Sequence, residues 1–217
     1  MTGHPLSEYE TILRPYQTDG VQAMATLPER TFVRCAGVIS RMEIKMTRNK
    51  EPMAVLLVDT FDGAFEALAF PKTLPRLKAL LQPNAAGLFC GTILKREEGR
   101  FSLAIESFHP PDEAVQRFAE AVVIPLSAEA ADETLLAALL ACLKQYPGPA
   151  TVTLRLEFEE GSEVEIACTP DLSVLPTRAF QDAVAQCTGR RDLVIRARPR
   201  LVGQSGRNPD LWKRNGS

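Results

Sequence analysis

Residues 45–63 read KMTRNKEPMAVLLVDTFDG. A polar turn, Thr47-Arg48-Asn49-Lys50, leads into the apolar run PMAVLLVDT, and Asp62-Gly63 ends that run with a dipeptide that favours tight hairpins. Two turn signals around one apolar run predict a strand with an antiparallel neighbour on each side. Upstream, Phe32–Met46 is apolar enough to pair with it but long, since most strands run about 5–6 residues. Its alternation shifts near Gly37, where a glycine permits a bulge or sharp bend. Downstream, 64–70 supplies the second partner.

The next stretch, PKTLPRLKALL (71–81), changes period: Leu74, Leu77, Leu80 and Leu81 fall at helical spacing. Pro75 is tolerated only in a first turn, so the helix is expected to begin there. Strands follow at 86–96 and 100–108, joined by a turn at Glu98-Gly99. In the second of these, Phe101, Leu103 and Ile105 alternate with Ser102, Ala104 and Glu106. The order β-β-β-α-β-β with a long, bent first strand is that of an OB-fold, a five-stranded Greek-key β barrel with its helix between the third and fourth strands.

After His109-Pro110-Pro111 a second unit is expected. It comprises a linking helix at 112–119, a strand at 121–126 and Ser127 as an N-cap for the segment after it. A helix at 132–146 carries the stripe Leu135, Leu136, Leu139, Leu140 and Leu143, and PGP at 147–149 stops it. Strands at 151–158 and 163–168 flank Glu160-Gly161; a helix at 176–187 and a strand at 192–196 close the unit. This β-α-β-β-α-β order predicts a ferredoxin-like α+β module. The expected organisation is a lead-in segment (1–29), an OB-fold (30–109), a linker helix (110–120), an α+β C-terminal domain (121–198) and a basic tail (199–217) expected to be disordered.

Composition sets further bounds. The chain has 217 residues, 45% hydrophobic and 24% charged, ordinary values for folded domains. No apolar run approaches the ~20 residues that span a bilayer, and MTGHPLSEYE has neither the basic nor the apolar region of an export signal, so a cytoplasmic protein is expected. Five dispersed cysteines without a CxxC pair fit buried thiols in a reducing compartment. The net charge of −2 hides a segregation: 12 Lys/Arg against 8 Asp/Glu over 30–109, 4 against 13 over 110–189, and 8 against 2 over 190–217. Such asymmetry points to modules with different partners. With only His4 and His109, no HExxH, no P-loop and no GxGxxG, no metal, cofactor or nucleophile–base pair is expected. The glutamates at 157, 159, 160, 163 and 165 flank a hairpin and read as a solvated edge rather than metal ligands.

In an OB-fold, oligonucleotides cross strands 2 and 3 between the loops joining strands 1–2 and 4–5. Here the first loop carries Lys45, Arg48 and Lys50, and the second Lys95, Arg96 and Arg100. Cations at both borders are what an electrostatic track for single-stranded nucleic acid requires. Charge that merely keeps hairpin tips soluble is the competing reading. Phe65 and Phe101 are candidate stacking surfaces for bases, and burial in the barrel core is their alternative.

TGHPLSEYE (2–10), RCAGVIS (34–40), the 45–63 stretch and ALAFP (67–71), in this order, resemble the C-terminal region of the bacterial DNA polymerase III alpha subunit. VVIPLSAEAADETLLAALLACLKQYPG (122–148) is similar to the module that follows the OB-fold in that family. The resemblance runs to about Arg196. It implies an OB domain near single-stranded template DNA, a C-terminal module that docks the tau subunit of the clamp loader, and the remainder of the alpha subunit as a further partner. It also implies no enzyme activity in this stretch, because the family's polymerase, PHP and exonuclease residues lie elsewhere. Either a larger polymerase or a split gene would then supply them. The chain departs from the family at Asn49-Lys50-Glu51, where a glycine usually follows the cations, and at Val55, where an aromatic residue often stands. The tail around Trp212 has no counterpart in the pattern. Two alternatives remain beside this reading: a purely protein–protein module, and a tRNA anticodon-type OB barrel.

Overall fold

The computed structural model describes residues 9–96 and 100–199. The GHPL segment, the Glu98-Gly99 turn and the tail from residue 200 lie outside the described residues. The lead-in forms two short helices, α1 (Glu10–Leu13) and α2 (Val21–Thr26), with a 3-10 turn between them at Arg14–Tyr16.

Five strands follow: β1 (Phe32–Met46), β2 (Pro52–Asp59), β3 (Ala64–Ala69), β4 (Ala86–Lys95) and β5 (Phe101–His109). They close a barrel in the order β1-β2-β3-β5-β4, in which only the β3–β5 contact is parallel. Period-two patterning drives the closure. Ala54, Leu56 and Val58 of β2 point inward and meet Val33, Ile39, Phe65, Phe89 and Leu103 in one buried cluster. Helix α3 (Leu74–Leu77) lies between β3 and β4, with Pro75 in its first turn. It is a single turn, shorter than the leucine spacing predicts, yet Leu74, Leu77 and Leu81 all reach the barrel core.

β1 serves two neighbours: residues 32–38 pair with β4 and residues 38–46 with β2. The register slips between Ile39 and Arg41, so the irregularity is at Ser40 and not at Gly37 as the sequence suggests. Gly37 has a different reason to lack a side chain. A Cβ there would lie 2.3 Å from Val58 Cγ1, so the glycine allows β1 to press against β2.

The second unit begins with α4 (Pro111–Phe118), then β6 (Ala119–Ser127), α5 (Glu133–Gln145), β7 (Pro147–Glu157), β8 (Glu163–Ala167), α6 (Arg178–Thr188) and β9 (Val194–Ala197). Asp132, not Ser127, caps α5: its carboxylate accepts the Leu135 N–H at 2.8 Å, while Ser127 ends β6. Pro147 and Pro149 end the helix and also open β7.

The element order is as predicted, but the sheet order is β8-β7-β6-β9. A ferredoxin-like sheet needs a strand inserted between the two strands joined by the first helix. Here β6 and β7 pair directly and in parallel over seven positions, and β8 stays at the edge. The difference lies in where the β7–β8 hairpin folds, which local patterning does not encode.

Barrel and second unit share a core. Ala36, Leu88 and Cys90, on the outer side of β1 and β4, join Leu13 and Tyr16 of the lead-in and Val122, Ile124, Phe180 and Val184 of the second unit in one buried cluster. Arg34 adds a polar link: it is 6% exposed, donates from Nη2 to the carbonyl of Arg198 at 2.7 Å and lies 4.9 Å from the centre of the Phe118 ring.

Candidate nucleic-acid interface

The β1–β2 turn is held by backbone bonds. The Thr47 N–H donates to the Glu51 carbonyl at 2.8 Å, and the Lys50 N–H to the Thr47 carbonyl at 2.9 Å. The left-handed residue is Lys50, with φ of 58°. Asn49, which tolerates that conformation better than lysine does, sits one position earlier. The side chains of Arg48, Lys50 and Glu51 are exposed at this tip. Lys45, on the last paired stretch of β1, stands 3.6 Å from Glu43.

The cations at the other border are more constrained. Lys95 donates to the carbonyl of Ala25 at the end of α2, tying the lead-in to the barrel rim. Arg96 donates from Nε to Ser102 Oγ at 3.0 Å and lies 3.7 Å from Glu66. Ser102 Oγ in turn donates to Glu66 at 2.8 Å. Arg100 lines the same space, an open cleft of about 1000 Å³ bordered by Ala25, Leu57, Glu66, Phe65 and Phe101.

The two phenylalanines have separate placements. Phe65 is 4% exposed and packs edge-on against Phe89, with ring centres 6.3 Å apart, so it belongs to the core cluster. Phe101 stacks on Phe65 at 6.2 Å and is only partly buried, so it is the ring with a face left toward the cleft.

Lys95, Arg96, Arg100, Phe65 and Phe101 are thus gathered in one cleft, whereas Lys45, Arg48 and Lys50 stand apart from it along β1–β2. Strand register connects the groups. Arg41 faces Leu57, Leu57 faces Glu66 and Glu66 faces Ser102, a single row across four strands. Lys45 is four residues further along β1 from Arg41, about 13 Å at strand rise. Both basic groups therefore border one outer barrel face.

Sequence reasoning misses three parts of this face. Arg41, paired with Glu43 at 2.5 Å, is hidden by the bulge at Ser40, which resets the alternation. Leu57 is 43% exposed inside an apolar run that reads as buried. Glu66 is visible in AFEALA as the one charged outward position of β3, and that signal is sufficient to find it.

A closed five-stranded barrel in this strand order is an OB-type barrel, here with cations bordering its β2–β3 face. The relatives of the chain are more particular. It is 28% identical over 168 residues to the DNA polymerase III subunit alpha of Saccharopolyspora erythraea, covering 74% of this chain and 14% of that protein. It is 22% identical over 191 residues to the Mycobacterium tuberculosis H37Rv protein of the same name, covering 87% of this chain and 16% of the relative. The chain thus spans only about one seventh of the curated relatives it matches. No protein-family model matches it. Among solved structures, the second single-stranded DNA binding protein of Mycobacterium smegmatis aligns with 37% of this chain and 88% of its own, at 10% identity and a TM-score of 0.33.

Proposed function

We propose that this chain is a non-catalytic C-terminal portion of a replicative DNA polymerase III alpha subunit, working in the bacterial cytoplasm. In this reading the barrel (30–109) holds single-stranded DNA and the α+β unit (121–198) docks the tau subunit of the clamp loader. The observation that carries it is the single outer face bordered by Lys45, Arg48 and Lys50 on one side and Arg96 and Arg100 on the other, in a chain whose relatives bear the alpha-subunit name. A groove of this kind tracks phosphates, and its binding falls with salt as counterions are released.

The test is fluorescence anisotropy of the full chain with a labelled single-stranded 20-mer over a salt series. The expected result is a linear fall of log K with log salt. R48E/K50E should bind roughly tenfold more weakly and with a shallower salt slope, because fewer phosphates are neutralised. Unchanged affinity in that variant would remove the tip from the DNA path. Capture of purified tau by the same chain tests the second half of the proposal.

One observation favours the protein–protein alternative. Arg96 is already partnered by Glu66, Lys45 by Glu43, and Lys95 by a carbonyl, which lowers the positive field over the face. Tau capture with no DNA binding at low salt would select that reading. Preference for a structured RNA would select the anticodon-type barrel.

A further inference from the structure

A carboxylate at the centre of a nucleic-acid face is out of place for phosphate binding. Glu66 occupies that position. It sits in the cross-strand row between Leu57 and Ser102 and lines the cleft with Arg96 and Arg100. Its side chain is 47% exposed, so burial does not neutralise it. Nor does it swing freely: Oε1 accepts from Ser102 Oγ at 2.8 Å and faces Arg96 Nη2 at 3.7 Å. Among the described residues Oε2 has no hydrogen-bond partner. Directly beside it, Leu57 offers an exposed apolar surface on which the face of a base can rest.

We propose that Glu66 reads base identity, so that the cleft favours bases presenting an exocyclic amine over those presenting only carbonyl oxygens at the same edge. The proposal rests on the reading that this barrel holds single-stranded DNA. An ionised carboxylate only accepts hydrogen bonds. Cytosine offers its N4 amine to such a group, whereas uracil and thymine place a carbonyl oxygen there, and two acceptors repel. Ser102 and Arg96 hold one oxygen and so restrain the carboxylate that lines the cleft, which is the preorganisation that a discriminating contact needs. Arg48 and Lys50, exposed at the β1–β2 tip that borders the same face, supply positive charge that lets a strand approach despite Glu66.

The test uses the full chain with labelled dC20 and dU20, which differ at this edge by the amine against the carbonyl. Wild type is expected to bind dC20 roughly fivefold tighter than dU20, below the limit for a good bidentate base contact. E66Q keeps an acceptor for Ser102 but carries an amide that can both donate and accept. It is expected to bind both strands about equally and more tightly overall, since one negative charge has left the face. E66A, which removes the group altogether, is expected to abolish the discrimination as well. Equal, salt-dependent binding of the two strands by wild type would overturn the role of Glu66 and leave the DNA-binding reading standing. Discrimination that persists in E66Q and E66A would also overturn it. Absence of binding to either strand at low salt would overturn both.

Discussion

Lys50 carries the backbone cost of the β1–β2 turn. A non-glycine residue at φ of 58° is disfavoured by about 1–2 kcal/mol, because Cβ crowds the carbonyl. Lys50→Gly should therefore raise the urea midpoint slightly, with the gain held to about 1 kcal/mol by the extra freedom glycine has when unfolded. Lys50→Val, β-branched in the same conformation, should lower it. A drop for Lys50→Gly would mean that the lysine side chain contributes contacts at the tip. The turn itself is legible in TRNK, but which of its residues turns left-handed is not. That choice is set by the Thr47–Glu51 and Lys50–Thr47 bonds, which depend on the register of the strands behind the turn. The candidate site divides in the same way. Lys95, Arg96 and Arg100 are visible as a basic loop in the sequence, while the engagement of Lys95 by α2 and of Arg96 by Glu66 and Ser102 exists only once separate elements meet.

Among the elements, β4 and β5 show how closely the barrel closes. Their register shifts between Cys90 and Gly91, and a Cβ on Gly91 would lie 2.1 Å from the Ala104 carbonyl oxygen. Backbone cannot yield there without opening the ladder. Gly91→Ala is expected to cost about 1–3 kcal/mol, as overpacked cores do, read as a lower urea midpoint at unchanged m-value. A neutral result would show that the β4–β5 contact gives easily. The five barrel strands and the position of α3 follow from sequence patterning, because inward and outward residues alternate along β2, and along β5 as far as Ile105, where the register shift interrupts the pattern. The first half of β1 is harder to read. Val33 through Ile39 are all buried, since the barrel core takes one side and the shared core the other, and alternation vanishes when both faces are covered.

At the scale of the whole molecule, Leu13 and Tyr16 are wedged into a cluster that includes residues of the barrel and of the α+β unit. Lead-in, barrel and second unit should therefore unfold together. Thiols report on each part. Cys90, in the barrel, is buried and its pKa is pushed up to about 11 by that burial, partly offset by the Ser107 hydrogen bond and the Arg34 charge. The thiolate is accordingly scarce at pH 8 in the native state, and Cys142 on α5 is buried as well. Pulsed alkylation across a urea series should expose Cys90 and Cys142 at one midpoint. Leu13→Ala, costing about 2–5 kcal/mol, should move both midpoints down together. Separate midpoints would mean that the shared cluster does not couple the units.

The sequence by itself determined the order of the elements, the barrel, the presence of cations in two of its loops and the charge contrast with the second unit, because these depend on local periodicity, turn chemistry and composition. Only the tertiary structure decided the β8-β7-β6-β9 order, the single core joining lead-in to both units, and the placement of Glu66 beneath Arg96. Those depend on which distant segments pack together. That choice comes from the burial of whole faces against one another, and no short window of residues contains it.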